Sequence, residues 1–157
     1  MMRRYRGKRA VVFVVGIGVF LLLIYIVSSL FMGEERKAKR VVMNYYKYES
    51  AQDYSRSWEL LHTEMKAKFG RGAFASDRVH VFNGHFGADT FSYEVSKVND
   101  RKNWKMEKDG KSFGTAYEFE VRQDYRGKYG HFAFVQFVYV VREDGEWRIL
   151  WDYKERN

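Results

Sequence analysis

From Ala10 to Gly33 the chain runs through AVVFVVGIGVFLLLIYIVSSLFMG without a single charge, between a basic MMRRYRGKR and a charged EERKAKR. At about 1.5 Å per helical residue such a run reaches ~36 Å, enough to cross a hydrocarbon core of ~30 Å. The pattern predicts a transmembrane helix over 10–33, a basic cytoplasmic tail over 1–9 and a charged juxtamembrane segment over 34–40. A cleaved signal peptide shares the basic start and the apolar middle. The signal anchor is preferred, because the run outlasts the ~7–15 residues of a signal core and VSSLFMG lacks a small-x-small cleavage pattern.

Beyond the juxtamembrane segment the apolar positions fall at helical spacing. Val42, Tyr45, Tyr46 and Glu49 share one face of a helix that continues from about Arg36, with no Gly or Pro to interrupt it. Asp53 is placed to cap a second helix, DYSRSWELLH, with Tyr54, Trp58 and Leu61 on one face. A third, TEMKAKF, aligns Met65 with Phe69 and ends at Gly70 as a C-terminal cap. Gly72 to Asp77 reads as a break.

After about Val79 the period becomes two. Phe91, Tyr93 and Val95 alternate with Ser92, Glu94 and Ser96, and the sets Tyr117, Phe119, Val121 and Trp147, Ile149, Trp151 alternate with mostly polar neighbours. Asp109-Gly110, Arg126-Gly127-Lys128 and Asp144-Gly145 separate these runs as hairpin turns. The strand HFAFVQFVYVV, 131–141, is apolar on both faces, which suits a strand covered on both sides or one whose outer face meets a partner. Its buried face depends on whether the loop near Arg126 to Lys128 has two residues or three. The order predicts an α+β domain over 41–157, about three helices followed by four or five antiparallel strands.

Dividing the charge along the chain changes what the net +8 implies. Arg3, Arg4, Arg6, Lys8 and Arg9 precede the apolar run, and Arg36, Lys37, Lys39 and Arg40 follow it; residues 41–157 hold 19 Lys/Arg against 18 Asp/Glu. The folded part is nearly neutral. The basic clusters flank the span, where topology and anionic headgroups account for them, and nothing in the domain marks a nucleic-acid footprint. The short basic tail favours an N-terminus in the cytoplasm and a domain displayed outside it. Cysteine is absent, which excludes disulfides, thiol catalysis and thiolate-bound metal, and no Asn-x-Ser/Thr site occurs. Together these lean toward a bacterial cell envelope.

The opening VVMNYYKYESAQDYSRSWELLHTEMKAKFG and the ending VVREDGEWRILWD resemble the nuclear transport factor two-like (cystatin-like) superfamily over roughly Val41 to Tyr153. The ending is similar to the N-terminal accessory domain of penicillin-binding transpeptidases, through a charged turn at Glu143 to Glu146 and through Trp147, Ile149, Trp151 and Asp152. The resemblance implies a cone of helices against a curved sheet. It implies no activity, since that superfamily hosts isomerases, dehydratases, transport adaptors and secretion scaffolds. No proline-led linker or catalytic domain follows within this sequence.

Such folds, as the resemblance has it, use an Asp or His with a Tyr deep in the cone. His62, His80, His85, His131, Asp89, Tyr117 and Tyr139 are available, and none forms a spacing motif; His80 and His85 with Asp89 lack the partners of a metal set. No catalytic residue, cofactor or metal ligand is therefore assigned. Tyr117, Phe119, Tyr139, Trp147, Ile149 and Trp151 are expected as core, or as the lining of an apolar pocket. Ser29-x-x-x-Gly33 admits helix packing and so a homo-oligomer. The expected function is a single-pass, non-enzymatic binding or scaffold protein with an envelope protein as partner. The alternatives are a structural subunit of a conjugation or type IV secretion apparatus and a small-molecule isomerase or hydrolase.

Overall fold

The computed structural model describes the backbone of residues 4–154 and the side-chain surroundings of residues 14–26 and 33–154. The chain divides into two units, residues 1–36 and 37–157. Helix α1 (Arg4–Ser50) supplies the described part of the first unit. The side chains of 14–26 are exposed, and among the described residues no helix is long and apolar enough to cross a membrane. Much of the expected span over 10–33, namely the side chains of 10–13 and 27–32, lies outside the described residues, as do Arg3 and the side chains of Arg4, Arg6, Lys8 and Arg9.

The second unit is an α+β fold. It opens with the last turns of α1, where Val42, Tyr45, Tyr46 and Glu49 are all buried, as their spacing predicts. The Asp53 carboxylate accepts from the Arg56 N–H at 3.2 Å and caps α2 (Tyr54–Glu59). His62 does the same for α3 (Thr63–Lys68), its Nδ1 accepting from the Glu64 N–H at 3.1 Å.

Two expectations fail in the next segment. Gly70, at φ −58° and ψ 144°, does not close α3 in a left-handed cap but begins α4 (Arg71–Arg78), so 72–77 is helix and not a break. Nor does the period of two begin at Val79: α4 passes straight into a π-helix, Val79–His85. Packing overrides the Val79-x-Val81 alternation and Gly84, because Phe82 stacks on Tyr125 with ring centroids 5.2 Å apart and planes 5° from parallel. The end of the π-helix is tied down by a hydrogen bond from the Lys128 N–H to the Phe86 carbonyl at 2.9 Å. Gly127 makes that approach possible, since a Cβ there would lie 2.2 Å from the same carbonyl oxygen. Among the described residues five helices, not three, therefore pack on the sheet.

The sheet is a four-stranded antiparallel meander, β1 (Phe91–Lys105), β2 (Ser112–Gly127), β3 (Gly130–Glu143) and β4 (Glu146–Trp151), in the order β1-β2-β3-β4. Gly127 pairs with Gly130, so Lys128 and Tyr129 make a two-residue loop, and this settles the register of β3. Its even-numbered residues face the helices: Phe132 and Phe134 meet Phe86, and Gln136 accepts a hydrogen bond from the Tyr46 hydroxyl at 2.8 Å. On the other face Tyr139 stacks on Trp104 at 4.3 Å and donates to Glu118 at 2.8 Å. The strand is covered on both sides only over Val138 to Val141; Ala133, Phe134 and Val135 are exposed. Asp144 and Gly145, at φ 49° and 84°, form the tight turn expected of Asp-Gly between β3 and β4.

The outer edge of β4 is closed by the α2–α3 link. His62 N–H donates to the Ile149 carbonyl and Ile149 N–H to the Leu60 carbonyl, both at 3.0 Å, in a parallel bridge at Leu61. His62 is thereby buried, 2% exposed, with its Nε2 3.2 Å from Glu143. Burial depresses its pKa below the ordinary 6.5, against the pull of Glu143. A depressed group contributes stability that is complete above its unfolded value and is lost as pH falls through the folded one. Urea melts from about pH 7.5 down to about pH 5 should therefore show a decline that His62→Asn, which keeps a capping acceptor, flattens. An unchanged slope in the variant would remove His62 as its cause.

Candidate ligand cavity

The second unit contains a cavity of about 290 Å³ under α4, lined by Phe69, Phe74, Asp77, Arg78, Val81, Phe82, Gln136 and Trp151. Helical spacing builds one wall: Phe74, Arg78 and Phe82 stand four residues apart, so they rise along one side of α4 and the π-helix. The Phe69 carbonyl, at the end of α3, is held by the Trp58 indole N–H at 2.7 Å. Gln136 enters from β3 and Trp151 from β4.

Arg78 is the centre of this arrangement. Its Nε lies 3.3 Å from Glu49 Oε2 and its Nη2 donates to the Tyr45 hydroxyl at 3.3 Å. The guanidinium also lies over the rings of Phe74, Trp151 and Phe82, at 5.0, 5.4 and 5.8 Å from their centroids. Glu49, 6% exposed, also accepts a hydrogen bond from Ser57 Oγ at 2.5 Å. Burial raises the Glu49 pKa, with Arg78 and the Ser57 hydrogen bond opposing the rise. Burial and then the Glu49 charge push Tyr45 well up, so its phenol stays protonated.

Several polar groups around the cavity have no described partner. Arg78 Nη1 is one. The Gln136 amide is oriented by the hydrogen bond its oxygen accepts from Tyr46, which leaves its NH₂ unspent. The Trp151 indole N–H is sealed from solvent and has no acceptor. The Asp77 carboxylate, beside Arg78 on α4, is exposed on the lining.

The aromatic residues singled out by their alternation do not converge on this cavity. Phe119 and Ile149 are fully buried core, and Tyr117 is core with Trp147 against its ring edge at 5.2 Å. Tyr139 lies on the opposite face of the sheet with Glu118, which Arg101 pairs at 2.8 Å. Trp147 sits under Arg142, whose guanidinium is 4.8 Å from the ring, and its own N–H has no acceptor. Only Trp151 of the six lines the cavity. Of the titratable residues, His80 and His85 meet each other, Nε2 to Nε2 at 2.9 Å, whereas Asp89 and His131 come together with Asp124 on the lining of a separate cavity of about 430 Å³, where His131 lies 3.8 Å from Asp124. Among the described residues no three His, Asp or Glu are grouped to hold a metal ion. No model of a known protein family matches the chain, and no curated protein matches it.

The cavity residues Arg78, Gln136 and Asp77 carried no signal of their own in the alternation patterns. The stripe Phe74, Arg78, Phe82 does carry one, an arginine between two aromatics at helical spacing, once the segment is recognised as helix.

Proposed function

We propose that this chain is a single-pass, membrane-anchored binding protein of a bacterial envelope, whose folded unit lies outside the cytoplasm and holds its ligand without turning it over. The observation that carries the binding reading is the chemistry of the cavity. The Arg78 guanidinium and the Gln136 amide do not exchange protons near neutral pH, and the Asp77 carboxylate is the one acid–base group among the described lining residues, so the set orients a ligand better than it serves paired acid–base catalysis. The anchored topology is supported by the uncharged run 10–33 and its basic flanks. The α+β order agrees with the resemblance to the nuclear transport factor two-like superfamily, in which binding and scaffold roles occur.

Topology is open to a clean test because the chain contains no cysteine. Ser55→Cys, at an exposed position of α2, should be labelled by a membrane-impermeant maleimide on intact cells, whereas Met2→Cys should be labelled only after lysis. The reverse result overturns the orientation. Release of a protein lacking residues 1–33 into the medium would replace the anchor by a cleaved signal.

A further inference from the structure

We infer that the cavity under α4 binds a free apolar α-amino acid, its carboxylate facing Arg78 and Gln136, its ammonium facing Asp77, and its side chain among Phe69, Phe74, Val81 and Phe82. The inference rests on the reading of the chain as a binding protein and names the ligand of that site.

Charge is the first argument. Arg78 is already balanced by the buried Glu49 at 3.3 Å, so a bare anion would find no net positive charge, and Asp77 on the same lining would repel it. A bare cation would answer Asp77 but leave the Arg78 Nη1 and Gln136 NH₂ donors without an acceptor. A molecule carrying both charges matches both groups. Unspent hydrogen bonding is the second argument. Arg78 Nη1 and the Gln136 NH₂ are donors suited to a carboxylate, while the exposed Asp77 oxygens are acceptors suited to an ammonium. Size and walls complete the case. About 290 Å³ lies at the lower end of ligand cavities, room for one ring or branched chain and not for a peptide, and four of the eight lining residues are aromatic.

Phenylalanine, N-acetylphenylalanine and phenylalaninamide separate the parts of this inference, titrated calorimetrically into the full chain in lipid nanodiscs. Phenylalanine should bind, and each derivative, lacking one charge, should bind at least about tenfold more weakly. Asp77→Asn, at an exposed position that leaves the fold intact, should weaken phenylalanine by about tenfold and leave N-acetylphenylalanine unchanged. Gln136→Glu keeps the acceptor for Tyr46 while removing the donors; it should weaken phenylalanine by about tenfold or more and spare phenylalaninamide. Thermal melts of both variants check that they remain folded. Equal binding of all three probes overturns the amino-acid inference and leaves the binding reading standing. Binding of none overturns the inference and the cavity as a ligand site, while the labelling experiment still decides the topology.

Discussion

Arg78→Met should lower the stability of the folded unit by about 3–5 kcal/mol, because it strips the partner from a buried carboxylate. Glu49 is 6% exposed and depends on Arg78 and Ser57 for compensation. Removing both charges together, as Glu49→Gln with Arg78→Met, should cost much less than the single Arg78 change, since no unpaired ion is left behind. The pH dependence provides an independent check. A carboxyl whose folded pKa is raised contributes stability that is full below its ordinary value of 4.5 and is lost as pH rises through the folded value. Without Arg78, burial acts unopposed by that cation, so the deficit of the single variant should grow from about pH 4 to about pH 7. Equal deficits at both ends in urea melts would mean that Glu49 is not the residue left stranded.

Phe119→Ala should cost a similar 3–5 kcal/mol or so, while Trp147→Ala should cost about 1–2 kcal/mol although it deletes a larger ring. The two residues occupy equivalent positions in the alternation of their strands. Their surroundings differ: Phe119 is 0% exposed in the middle of β2, whereas Trp147 is half-buried near the start of β4 under the Arg142 side chain. Denaturant titrations that gave equal losses would show Trp147 to be as deeply packed as Phe119.

That contrast explains how far the sequence could be read. The last turns of α1 were legible because one face is apolar at Val42, Tyr45 and Tyr46, and the Asp53 cap because an acceptor stands just before a helical run. Asp144-Gly145 was legible because both residues adopt positive φ, which few residue pairs tolerate. The π-helix was not. Its Val79-x-Val81 alternation and Gly84 favour a strand, and the partners that hold it helical, Tyr125, Phe134 and the Lys128 N–H, lie on β2, β3 and the loop between them. The cavity was hidden for the same reason, since five of its eight lining residues stand on α4 and the π-helix and its polar groups come from three elements far apart in the chain.

The parallel bridge at Leu61 gives the unit an order of assembly. Each strand of the meander pairs with its neighbour in the chain, so the sheet can zip hairpin by hairpin with little loop-closure entropy at any step. The pairing of Leu60 and His62 with Ile149 reaches instead from the helical half to the last strand. A nascent chain that has not yet released β4 therefore leaves the Leu60 carbonyl and the His62 N–H without their Ile149 partner, and the helical half cannot lock until synthesis is nearly finished. A ribosome-stalled chain ending before Glu146 would consequently be degraded from its helices as readily as from its unfinished sheet.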